Sequence, residues 1–286
     1  MAVTQLHSIN RLRLIRPLLL CSVTLLLGLD RPQSPAGTGT LMPPSHVSLS
    51  GSDVALVVNT LDPLSVAIGH YYQRARRIPL NQVLKVHFPV GQSNLNPSRF
   101  IEVRRRLLLE TPPRVQVYAL AWSSPYRVGC QSITAAFSLG LHPELCASGC
   151  RPTRLNPYYA RGDVKRPWDS LRIRPSMLIA SANFDQAKAL IDRGVASDSS
   201  TPNGSVYLLS TSDDKRNTRL SEYNRALGLR LPGLHFRLLQ QDVLSGARDV
   251  MGYFTGLKTV EAIDTNHYLP GAIADHLTSQ IGRAHV

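Results

Sequence analysis

Short apolar runs alternate with helix-patterned segments along most of this chain, and that alternation admits few folds. "DVALVVN" (53–59) is an almost unbroken apolar run, as expected of a strand buried on both faces. In the next segment, "TLDPLSVAIGHYYQRARR", Asp62 can cap a helix and Pro63 suits its first turn. Leu64, Ala67, Ile68, Tyr71 and Tyr72 then share one face at helical spacing. Arg74, Arg76 and Arg77 gather near the end, where the helix dipole favours cations, and Ile78-Pro79 stops the helix. The same reading predicts strands at 83–88, 115–122, 176–181 and 205–210, with shorter ones at 234–239 and 250–254. Helices are predicted at 97–110, 184–196 and 217–227, and a further helix starts at Pro270 and runs over 270–279.

Strands alternating with helices imply an α/β fold, a mostly parallel sheet covered by helices in three layers, with right-handed crossovers. No internal repeat is evident. Residues 123–175 are rich in Pro, Cys and Arg and have little periodicity. They read either as an insertion packed on the sheet or as a site-forming loop.

The N-terminal segment reads differently. Arg11, Arg13 and Arg16 precede "PLLLCSVTLLLGL" (17–29), and small residues follow around Ser34-Pro35-Ala36. A basic region, a short apolar core and a small-residue site describe a secretory signal peptide over 1–36. The apolar core is shorter than the roughly 20 residues a membrane-spanning helix needs, so no transmembrane segment is expected once the leader is removed. The expected organisation is therefore a leader, a Pro/Gly/Ser-rich linker over 37–51, and a single α/β domain over 52–280. The localisation implied is export, to the periplasm, the cell envelope or the medium.

Net charge is +13. That balance could suit nucleic acid, anionic lipid or an acidic polymer. The basic residues are scattered, however, and neither aromatic interleaving nor a nucleic-acid motif accompanies them, so no nucleic-acid partner is expected. A basic binding module for an acidic polymer remains as an alternative function. Neither GxxxxGK[ST] nor GxGxxG follows the first strand, and no metal-ligand spacing is complete, so no cofactor and no metal are assigned.

In open α/β sheets ligands bind beyond the carboxyl ends of strands. That rule selects residues 59–65, 122–130, 210–216 and 253–256, with Asn59, Ser65, Asp213 and Arg216 as candidate binding residues. Near the C-terminus, Asp264, Asn266, His267, Asp275, His276, Thr278 and Ser279 concentrate polar groups, of which the Asp and His side chains can ligate a metal or transfer protons. A nucleophile would need a base and an orienting group beside it. The weak catalytic candidates are Cys130 with His267 or His276, and Asp275. Export leaves Cys130, Cys146 and Cys150 in an oxidising compartment. Cys146 and Cys150 could close a small disulfide loop, leaving Cys130 unpaired.

Several motifs together resemble one family. "VVNTLDPLSVAIGHYYQRARRIP", "YALAWSSPYRVGCQSITAAFSLG", "CASGC", "IDRGVASD", "YLLSTSDDKRN", and "YFTGL" with "LPGAIADHLTS", are similar to a family of exported bacterial proteins of unknown function. The resemblance covers about residues 53–279. Its first motif also loosely resembles the opening strand and helix of gingipain-like, caspase-like cysteine peptidases, which makes a caspase-like hydrolase the first alternative function, ahead of the basic binding module. The family pattern continues past "ADHLTS" with a Gly-rich turn, whereas this chain has "QIGRAHV". Residues 281–286 back-translate to the start of a common sequencing adapter. The expectation is a domain cut short at its C-terminal side, followed by an adapter-derived tail.

Overall fold

The computed structural model describes residues 49–146, 152–159 and 161–277. The predicted leader, most of the linker, Cys150 and the adapter-like tail lie outside them. Strand β1 (Val54–Asn59) leads into helix α1 (Pro63–Ala75), then β2 (Val83–Val86), a short β3 (Asn94–Leu95) and α2 (Pro97–Glu110). After β4 (Val117–Leu120) come the two-residue strands β5 (Arg127–Val128) and β6 (Gln131–Ser132), α3 (Ile133–Leu139) and α4 (Pro167–Leu171). Then follow β7 (Ser176–Leu178), α5 (Phe184–Ala196), β8 (Gly204–Ser210), α6 (Leu220–Ala226), β9 (Leu234–Gln240), β10 (Val250–Thr255) and β11 (Tyr268–His276).

The helices begin where side chains can satisfy the first free backbone N–H groups. Asp62 accepts from the Leu64 amide, Asn96 from those of Ser98 and Arg99, Ser132 from that of Ala135, and Asn183 from that of Gln186. Proline occupies the first turn of α1 and α2, where its missing N–H costs nothing.

Eight strands form two four-stranded sheets, both entirely parallel, in the orders β2-β1-β4-β7 and β11-β10-β8-β9, and the two-residue strands form a small third sheet, β3-β5-β6, whose β5–β6 pair is antiparallel. The first is covered on both faces. Phe100, Val103 and Leu107 of α2 and Ile133 and Phe137 of α3 pack over Ala55, Val57, Tyr118 and Leu120. On the opposite face Ile68 of α1 and Ala187 and Ile191 of α5 cover Leu56, Val58, Ala119 and Ile179. The insertion at 123–175 thus packs on the sheet through α3. In the second sheet Tyr223 and Leu220 of α6 cover Val206, Leu208 and Phe254. Its other face gathers Tyr207, Leu209, Val250 and Tyr253 under the loop residues Leu244 and Val260.

The two sheets share one path. Each starts on an inner strand, crosses through a helix to an outer strand, returns to the other inner strand, and ends on the opposite edge. In each, the return from the first helix passes an aliphatic residue and a proline, Ile78-Pro79 before β2 and Leu231-Pro232 before β9. This duplication is not visible as sequence repetition, because different side chains satisfy the same pattern of crossovers.

One element is corrected. The helix expected over 270–279 is strand through His276, paired in parallel with β10. Pairing supplies backbone partners that outweigh local helix preference, and Pro270, lacking an N–H, is tolerated because β11 is an edge strand.

Candidate functional site

At the carboxyl end of the first sheet the predicted binding residues face inward. Asn59 is fully buried. Its Oδ1 accepts from the Phe88 amide at 2.9 Å and the Leu61 amide at 3.3 Å, while its Nδ2 donates to the Phe88 carbonyl at 3.0 Å. Ser65, also fully buried, accepts the Asn59 amide at 2.9 Å through Oγ. Alongside, Ser123 Oγ donates to the Ser181 carbonyl at 2.7 Å and accepts the Ser181 amide at 2.9 Å. These groups fasten the loop after β1 to that after β2, and the loop after β4 to that after β7. The candidates Asn59 and Ser65 are latches there, with no side-chain polar group turned to solvent.

The second sheet repeats the device with different residues. Asp242, just after β9, accepts both the amide and the hydroxyl of Ser212, each at 2.6 Å. The Ser212 hydroxyl and amide hold the Asp242 carboxyl below the usual carboxylate range, despite some desolvation. Asp213 pairs with Arg216 at 3.3 Å, and Arg216 Nη1 also donates to the Leu277 carbonyl at 2.9 Å. Asp275 is held by Arg219. Gly256, after β10, sits where a Cβ would come within 2.3 Å of the Arg216 carbonyl oxygen, so only glycine fits that position of "YFTGL". Asp213 and Arg216 therefore tie the loop after β8 to the ends of β10 and β11.

Along β10 and β11, reaching those ends, lies a cavity of about 900 Å³. Tyr253 and Thr255 of β10 contribute to its floor, with Ala274 and His276 of β11 opposite them in register. Arg193 and Gly194 from α5 border one side, and Lys258, Val260 and Ile263 from the loop after β10 border another. That loop is fixed by the buried Asn266, whose Nδ2 donates to the Leu244 carbonyl at 2.8 Å and whose Oδ1 accepts the Ala247 amide at 3.0 Å. Tyr253 accepts the Leu244 amide at 3.4 Å, and burial pushes its hydroxyl pKa up. Burial also raises that of Tyr268.

The catalytic candidates divide. Asp275, His267 and His276 all line this cleft. His267 precedes β11 and His276 ends it, and β11 bulges between them: Tyr268 and Ile273 oppose Val250 and Gly252 of β10. His267 Nδ1 lies 2.9 Å from the Arg248 carbonyl, and His276 Nδ1 lies 3.3 Å from that of Leu257. Cys130 is not among the lining residues and is not free. It forms a disulfide with Cys146, with Cα atoms 5.6 Å apart. This corrects two expectations, the Cys146–Cys150 loop and the unpaired Cys130. The hairpin of β5 and β6 brings Cys130 back toward the segment after α3, a fold contact that cysteine spacing does not reveal. Among the described residues no three His, Cys, Asp or Glu side chains could hold a metal ion.

No match to the chain was found among protein-family models, curated proteins or solved structures. The site's chemistry therefore rests on its own geometry. Asn266 and Tyr253 fall within stretches the sequence singled out, whereas Asp242, which ties the loops at the strand ends, escaped sequence reading. Asp242 carried a readable signal, a carboxylate just past a strand end, but its partner Ser212 is 30 residues away.

Proposed function

We propose that this protein is an exported bacterial α/β domain, acting in the envelope or outside the cell, that binds a ligand in the cleft beside β10 and β11. The observation carrying the proposal is the cleft itself: about 900 Å³, with aromatic and aliphatic walls and a few polar groups, beside the carboxyl ends of parallel strands. Binding is favoured over nucleophilic catalysis because the sulfur of Cys130 is engaged with Cys146. The basic-then-apolar leader supports export, and a disulfide is compatible with an oxidising compartment.

Two measurements test this reading. Residues 1–52 fused to alkaline phosphatase, an enzyme active only after export, should give activity in bacteria; an inactive, intact fusion would remove the export claim. For the cleft, Thr255→Arg and Ile273→Arg should block occupancy. Peptides or envelope-polysaccharide fragments that raise the melting temperature of the parent protein should leave the variants unshifted. Equal shifts in parent and variants would place binding elsewhere.

A further inference from the structure

We propose a second surface with a different role: the loop over residues 227–231, between α6 and β9, contacts the interface of an anionic lipid bilayer. Three leucines within five residues, Leu227, Leu229 and Leu231, are 39%, 49% and 47% exposed. They border one groove of about 550 Å³ together with Arg230, His235 and Phe236. The duplicated path supplies a contrast. Ile78, at the corresponding return before β2, is only 1% exposed and packs with α5 residues Ala187 and Ile191. The same step is buried in one half of the fold and presented to solvent in the other.

Charge selects the occupant. Residues 217–240 contain Arg219, Arg225, Arg230 and Arg237 against a single carboxylate, Glu222. Arg219 pairs with Asp275, Arg225 with Glu222, and Arg237 donates to Ser205 Oγ at 2.9 Å, which leaves Arg230, on the groove and donating to the carbonyls of Leu227 and Leu229 at 3.2 Å, as the charge presented there. Aliphatic side chains on a loop that carries Arg230 and no carboxylate match a surface that is apolar inside and negative at its headgroups. Arginine stems can lie along the acyl boundary while their guanidinium groups reach phosphate oxygens.

Because the apolar leader could itself touch lipid, the test reads the loop locally. Leu229→Trp is compared, in the full chain, with Leu109→Trp; Leu109 is 84% exposed on α2 of the first half. Vesicles of phosphatidylcholine with phosphatidylglycerol, brominated along the acyl chains, should quench the tryptophan at 229 at least about twofold more than the one at 109. Adding Arg225→Gln and Arg230→Gln should raise the lipid concentration for half-maximal quenching roughly 30-fold. Equal quenching at both positions, or none at 229, overturns the proposal. Undiminished quenching in pure phosphatidylcholine overturns the anionic requirement. If vesicles leave 229 unquenched while Leu227→Ser/Leu229→Ser/Leu231→Ser abolishes self-association on size exclusion, the leucines form a protein interface instead.

Discussion

Asn59 ends a strand as an apolar run gives way to polar residues, and from sequence that position reads as ligand-facing. In the fold its amide group is consumed by the Phe88 amide and carbonyl. Removing it would strand two buried backbone groups, so Asn59→Ala should destabilise by about 2–4 kcal/mol. Urea unfolding measures this, and a change below about 0.5 kcal/mol would mean the latch is dispensable. Asp53 is a second residue whose role depends on distant partners. Burial raises its carboxyl pKa, but hydrogen bonds from the Ser50 amide and hydroxyl and from Arg166 outweigh that, and the pKa falls below its ordinary value. A depressed folded-state pKa stabilises fully above the unfolded value, about 3.9, and the contribution is lost as pH falls through the folded value. Stability should therefore decline on acidification below about pH 5, and Asp53→Asn should flatten that decline. An unchanged slope in the variant would assign the acid sensitivity to other groups.

At the scale of elements, local patterns were informative where the element is covered by its own neighbours. α2 and α5 match their predicted bounds, because cap, proline and apolar spacing coincide in the sequence. β11 was misread since nothing local distinguishes "YLPGAIADH" as a strand; its partner β10 decides it. α3 lay hidden in an aperiodic stretch, being seven residues long and made legible only by packing Ile133, Ala136 and Phe137 against the first sheet. The disulfide flanks this helix, joining Cys130 and Cys146 across a separation of 16 residues. Closing a loop of that length should contribute roughly 3 kcal/mol. Cys130→Ser/Cys146→Ser should lose about that much, with amide exchange rising first over 130–146. Peptide mapping of the oxidised protein should recover a Cys130–Cys146 fragment; a Cys146–Cys150 fragment in its place would refute the assignment.

For the whole molecule, the class of fold was legible from strand–helix alternation, and the ends of strands were correctly singled out as places where polar residues gather. Division into two parallel sheets with a common path was not, since strand order is a matter of which edges meet across long crossovers. The cleft follows from that division: its walls come from α5, β10, β11 and the loop between the last two, spanning residues 193 to 276. Of the proton-transfer candidates, the sequence reading placed Asp275 and His276 on a helix, and only the fold set them at the end of β11, set His267 just before its start, and bonded Cys130 to Cys146. Apolar periodicity, caps and prolines act within a few residues, so they are written in the order of the chain. Pairing, burial and the convergence of side chains act across tens to hundreds of residues, and the tertiary structure alone brings those together.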